Sequence, residues 1–133
     1  MTIVDSLLGI PYVRNGRSVD VDGGLDCWGL AREVFWRRFG IELPTYLIDD
    51  DGLRARAFAD GMAASEWVRS LKPPAWGLVV FQLRAGEWHC GVVLPDRVRF
   101  IHCRQPAVVI EKLDSPIWRN SLKGYFSYDH ASH

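Results

Sequence analysis

The chain shows no excess of either charge. Its 133 residues carry 16 basic and 16 acidic side chains, and no basic stripe follows any one segment. Nucleic acid, whose phosphates are met by clustered Lys and Arg, is therefore excluded as a partner, as is a membrane surface held by a polybasic anchor. No apolar run is long enough to span a bilayer. Met1 to Gly9 carries Asp5 and no cationic cluster. It is too short and too acidic for a secretory signal, so synthesis and folding in the cytoplasm are expected. Cysteine is scarce and odd in number: Cys27, Cys90 and Cys103. Three thiols make a poor disulfide framework and suit a reducing compartment. No repeat, low-complexity tract or linker interrupts the chain.

What is present is ordinary in amount. The hydrophobic fraction is 48% and the charged fraction 24%, both close to those of an average globular domain. The length is that of one domain, so residues 1–133 are read as a unit able to bury a core without metal or disulfide staples. The 6 tryptophans are scattered and read as packing residues.

The first half reads as helical. Thr2 to Leu8 suits a short opening helix, and the Gly-, Asp- and Ser-rich stretch from Pro11 to Leu25 reads as a loop. Cys27, Leu30, Ala31, Val34, Phe35 and Phe39 then recur at helical spacing, with Asp26 as N-cap, Gly40 as stop and Pro44 beyond. Asp49 to Gly61 is ambiguous, and Ala63 to Leu71 reads as a further helix ended by Pro73 and Pro74. In the second half, Leu78–Leu83, Trp88–Leu94, Val98–Cys103 and Ala107–Leu113 are short strand-like runs separated by turn residues, with a last strand over Gly124–Tyr128. Helices followed by an antiparallel sheet is an α+β order.

Cys27 falls at the first turn of the strongest helix, beside unpaired N–H groups and the positive end of the helix dipole, where a thiolate is stabilised. A buried apolar cysteine would also suit that helix face. Gly23, Gly24 and Gly29 around it favour close approach to the backbone. His89 and His102 sit on consecutive strands around Pro95-Asp96. A two-residue turn there pairs Leu94 with Arg97, and the same register sets His89 opposite His102, with Cβ atoms roughly 5 Å apart. Two adjacent imidazoles suit a base and the group that orients it.

A metal site is the competing reading. Cys90 and Cys103 each follow a histidine, but strand alternation turns them to the opposite face, and no CxxC knuckle is present. They read as small apolar residues. Asp49-Asp50-Asp51 reads as a helix start or solvated loop, without the spaced ligands of a calcium site. No metal or organic cofactor is expected.

The stretch "GIPYVRNGRSVDVDGGLDCWGL" resembles the nucleophile region of NlpC-type cell-wall peptidases, cysteine hydrolases of papain-like fold. "WHCGVVL" resembles their His-x-Gly strand and "RFIHC" the following strand that ends in a third catalytic residue. The resemblance runs from Leu7 to Leu113. It implies N-terminal helices packed on a C-terminal antiparallel sheet, with Cys27 as nucleophile, His89 as base and His102 as orienter. It further implies Tyr12 as the loop tyrosine near the nucleophile and Asp26 as the acidic residue before it, candidates for substrate or oxyanion contact. The implied substrate is a peptidoglycan stem peptide, cut between γ-D-glutamate and a diamino acid.

Three features depart from the family pattern: Trp28 where Ser is frequent, Leu78 where an acid is frequent, and no accompanying wall-binding domain. With "DCWGL" and "GIELP" they are similar to the tail-associated subgroup from phages and prophages, which implies phage tail proteins as partners and delivery to the periplasm by the virion. Two alternatives stay open. One is another Cys-His acyl hydrolase or transferase acting on a non-wall substrate. The other is a structural tail-assembly protein of weak or no activity, in which Trp28 blocks the cleft.

Overall fold

The structure, a computed structural model, describes residues 2–44 and 67–128. The opening helix α1, Ile3–Leu7, is capped by Thr2, whose hydroxyl accepts from the Asp5 N–H at 3.1 Å. Within the expected loop, Ser18 caps a single helical turn, α2, Val19–Asp22. The main helix α3, Cys27–Phe39, begins and ends where its punctuation predicts. Gly40 closes it at φ 68°, a left-handed conformation costly for any residue with a Cβ, and returns its N–H to Phe35 and Trp36. Arg37 and Arg38 in the last turn complement the negative end of the dipole. Its inward face buries Leu30, Ala31, Val34 and Phe35.

Among the described residues six strands follow: β1 (Trp67–Ser70), β2 (Leu78–Gln82), β3 (Trp88–Val93), β4 (Arg99–Arg104), β5 (Ala107–Lys112) and β6 (Leu122–Tyr128). They form one sheet in the order β1-β6-β2-β3-β4-β5, with every neighbouring pair antiparallel. A further helix, α4 (Pro116–Ser121), precedes β6. α3 packs on β3 and β4, and α4 packs against β2. Leu78, Val80, Cys90, Val92, Ile101 and Cys103 join the α3 core. Val79, Phe81, Val93, Phe100 and Trp118 form a second cluster. Alternation along each strand divides the two sets. The expected α+β architecture is therefore present. Among the described residues, no helix is long and apolar enough to cross a membrane.

Three expectations need correction. Trp67–Ser70, expected as the end of a helix, is an edge strand. Its ladder to β6 and the packing of Trp67 on Phe35 and Tyr128, with ring centroids 5.6 and 5.0 Å away, outweigh the local helical pattern. Residues 63–66 of that segment, the ambiguous Asp49–Gly61 and the Asp49-Asp50-Asp51 run lie outside the described residues. Helix α4 was not expected. Its start is signalled by Ser115 followed by Pro116 at the first helical position, where the missing proline N–H costs nothing.

The third correction is to the β3–β4 register. Val92 pairs with Ile101 and Val93 with Phe100, so the ladder is displaced by two residues from the expected one. A two-residue hairpin turn needs positive φ at its first central residue, and the ring of Pro95 forbids that. The chain makes a longer turn, with Arg97 at φ 62° and Leu94 N–H bonded to the Arg99 carbonyl at 2.9 Å. Asp96 holds it by accepting from the N–H groups of Val98 and Arg99, each at 3.0 Å. A slip of two keeps every side chain on its face. His89 and His102 become diagonal neighbours rather than a direct pair.

Candidate active site

Cys27 is the first residue of α3 and is partly exposed. The segment before it is fixed by close backbone packing. A Cβ on Gly29 would collide with the Gly16 carbonyl, so the bare glycine lets the preceding loop lie against the first helical turn. The Asp26 carboxylate is buried, 2% exposed. It accepts from the Gly29 N–H at 2.8 Å and from Arg17 Nη1 at 2.5 Å. Arg17 also donates to the Gly16 carbonyl at 3.1 Å. A buried charge is tolerable when paired and hydrogen-bonded in this way. Asp26 thus joins the cap of α3 to the loop before it.

Tyr12 is held by backbone on both sides. Its N–H donates to the Pro106 carbonyl at 3.0 Å, and Pro11 and Val13 bond to Leu25. The Cys103 thiol donates to the Leu25 carbonyl at 3.1 Å, tying β4 to the residue two before Cys27.

His89 and His102 are almost fully buried, at 3% and 1% exposure. His89 Nε2 lies 2.8 Å from His102 Nδ1, and His102 Nε2 lies 2.6 Å from Glu111 Oε2. Aromatic rings hold both imidazoles. Trp118 stacks near His89 at 5.5 Å and meets His102 edge-on at 4.9 Å. Phe81 stacks near His89 and Phe100 near His102, and both rings also pack on Trp118. Among the described residues the Trp118 indole N–H finds no acceptor, so its part here is played by its ring. Gly91 makes room for His102: a Cβ there would lie 3.0 Å from the His102 Cβ and 2.8 Å from the Ile101 carbonyl oxygen.

The three thiols differ in acidity. Cys27 is held well below its ordinary value, chiefly by a hydrogen bond from the Cys90 thiol, with the hydrogen bond and charge of His89 and a bond from the Cys90 backbone adding to it against burial. Cys90 is pushed well above its ordinary value by burial and by its role as donor to Cys27. Burial, then the charges of Cys27 and Asp26, push Cys103 up to about 12. Burial and the charge of His89 lower His102 to about 4, with Glu111 opposing. His102 is therefore neutral at pH 7 and able to accept a hydrogen bond.

A cleft of about 470 Å³ opens at the thiol. Tyr12, Asp26, Cys27 and His89 line it, together with Arg14 and Arg104. Trp28 lies elsewhere: it is 4% exposed in the α3 core and donates its indole N–H to the Pro44 carbonyl at 2.6 Å. Leu78 is likewise buried in that core. Among the described residues, no group of three His, Cys, Asp or Glu side chains is placed to hold a metal.

Sequence reading missed four contributors. Arg17 and Trp118 gave no signal, since a loop arginine and a short-helix tryptophan are commonplace. Cys90, read as a small apolar residue, helps hold the Cys27 thiol acidic. Glu111 was legible in principle: the Gln105-Pro106 turn pairs His102 with Val109, which sets Glu111 two residues along on the same face.

The sequence matches the model of the NlpC/P60 family over residues 9–127. Among solved structures, the chain is similar to the NlpC/p60 domain of peptidoglycan hydrolase SagA, with 18% identity and a TM-score of 0.64, covering 94% of this chain and 92% of that one. It is also similar to an NlpC/P60 family protein from Bacillus cereus ATCC 10987, with 24% identity and a TM-score of 0.64. There it covers 94% of this chain but 37% of the longer relative. At these identities the structures establish a shared fold. No curated protein matches the sequence significantly.

Proposed function

The chain belongs to the NlpC/P60 family, and from that premise we propose that it is a cysteine peptidase that hydrolyses the peptide stems of peptidoglycan. The observation that carries the reading is a thiol at a helix start, held acidic with the help of His89, whose Nε2 lies 2.8 Å from Nδ1 of a second imidazole. That is a nucleophile, a base and a group that orients the base.

His89 takes the Cys27 proton, giving a thiolate–imidazolium pair. The thiolate attacks the scissile carbonyl, and the C=O electrons move onto oxygen. Backbone N–H groups at the start of α3, with Tyr12 at the cleft wall, stabilise that oxyanion. Collapse of the tetrahedral intermediate breaks the C–N bond, and the amine leaves with the proton from His89. Water, deprotonated by His89, then cleaves the thioester and restores the thiol. These steps balance without metal or cofactor.

The bond proposed is that between γ-D-glutamate and the diamino acid. Arg14 and Arg104 in the cleft are suited to carboxylates of such a stem. A place in a phage or prophage tail, with delivery to the periplasm by the virion, rests on the "DCWGL" and "GIELP" pattern. The rival in which Trp28 plugs the cleft has no support from the position of that indole, which points into the core. Digestion of purified muropeptides, read by mass spectrometry beside Cys27→Ala, tests the proposal. Cleavage by the wild type alone is expected, and the product masses name the bond. A folded wild type that cuts no stem peptide across several wall chemistries overturns it.

A further inference from the structure

The two histidines do not end the line of polar side chains that runs inward from the cleft. His102 presents Nδ1 to His89 Nε2 at 2.8 Å and Nε2 to a Glu111 oxygen at 2.6 Å. The carboxylate sits on β5, two residues along from the partner of His102 and on the same face of the sheet. Its side chain is 40% exposed, so it keeps contact with water and escapes the desolvation cost of a fully buried charge.

We propose that Glu111 is a positioning residue: its carboxylate fixes the tautomer of His102 and, through it, aims the basic nitrogen of His89 at Cys27. This rests on the peptidase reading above. The argument is one of proton placement. An ionised carboxylate only accepts, so the hydrogen between His102 and Glu111 belongs to His102 Nε2. Neutral His102 then has a lone pair on Nδ1, and the hydrogen of the shared bond must come from His89 Nε2. A neutral His89 that carries its proton on Nε2 has its lone pair on Nδ1, free to take the thiol proton. With the opposite tautomer at His102, His89 Nε2 would have to accept, its Nδ1 would carry the hydrogen, and no base would face the thiol. No proton need pass from His89 to His102 or from His102 to Glu111. The carboxylate acts by orientation and by its negative charge two rings from the imidazolium formed on attack.

The test combines imidazole NMR with kinetics on the intact protein. Long-range 1H–15N spectra at neutral pH should show His102 as the Nε2–H tautomer in the wild type. In Glu111→Ala, His102 should pass to a tautomer mixture, and kcat on a stem peptide should fall about tenfold to a hundredfold while KM stays near the wild-type value. Glu111→Gln, whose amide oxygen can still accept from Nε2–H, should restore the tautomer and most of kcat, and it answers the question if the alanine variant fails to fold. A wild type with His102 protonated on Nδ1, or a folded Glu111→Ala with undiminished kcat, overturns the proposal. A wild type that cleaves no stem peptide yet shows His102 locked as Nε2–H would count against the peptidase reading and for the tautomer lock.

Discussion

The face of the sheet under α3 and the face under α4 are filled with different chemistry, although the same strands supply both. Toward α3 the strands turn Leu78, Val80, Val92 and Ile101, with Cys90 and Cys103 among them. Such packing is non-directional: hydrocarbon burial rewards contact, whatever the orientation of each group. Toward α4 they turn Phe81, Phe100 and the two histidines, closed by Trp118. Flat rings packed edge and face permit few orientations, and that is what a pair of imidazoles needs if their nitrogens are to stay in line. The cysteines show the same contrast. Burial, with the charges of Cys27 and Asp26, pushes the Cys103 thiol up to about 12. Cys27, at the helix start with a thiol donor and an imidazole beside it, is made acidic. Local polarity decides the fate of the thiol.

The comparison can be broken in graded ways. Cys27→Ala should cost about four orders of magnitude in muropeptide cleavage, while the thermal midpoint stays near that of the wild type, because the thiol is partly exposed. Trp118→Ala should be the most damaging to stability. Removal of a buried indole costs about 3–5 kcal/mol, measured by urea unfolding, and activity should fall with it as both imidazoles lose their wall.

Acid should act on the α4 face as well. His102 titrates near 4 in the folded protein, against an ordinary value of 6.5. Between those values the unfolded chain binds the extra proton, so stability rises with pH. Stability is fully present above about 6.5 and is lost as pH falls toward 4, by about 3 kcal/mol at most. Chemical denaturation at a series of pH values should show that loss, and its absence in a folded His102→Gln variant would confirm the source.

Gly91→Ala introduces a methyl group where the His102 Cβ and the Ile101 carbonyl already stand. It should destabilise by about 1–3 kcal/mol and lower kcat more than it raises KM, in assays on a defined stem peptide. Trp28→Phe belongs to the other face. Loss of its bond to Pro44 should cost about 1 kcal/mol and leave kcat unchanged, since the indole lies outside the cleft.

Helix α3 could be read from sequence because its cap, its apolar spacing and its glycine stop agree. The strands of the second half could be read because β-rich runs alternate with turn residues. Trp67–Ser70 could not, since an edge strand of four residues is defined by its distant partner β6 and not by its own pattern. The hairpin register failed on one detail, the φ of Pro95, while the parity of the slip preserved the meeting of His89 with His102. Glu111 is legible only through the β4–β5 register, which sets it on the same face as His102 and two residues from its partner. Trp118 was missed because a six-residue helix carries too little periodicity to declare which way its tryptophan points.

The most direct test of the central claim is the pH dependence of Cys27 alkylation by iodoacetamide, with the modified residue identified by mass spectrometry. A thiol activated by His89 should react with an apparent pKa well below the ordinary value of about 8.5, and His89→Ala should move it back up. Reaction at or above the ordinary value in the wild type, or a profile indifferent to His89→Ala, would contradict the assignment of Cys27 as an activated nucleophile.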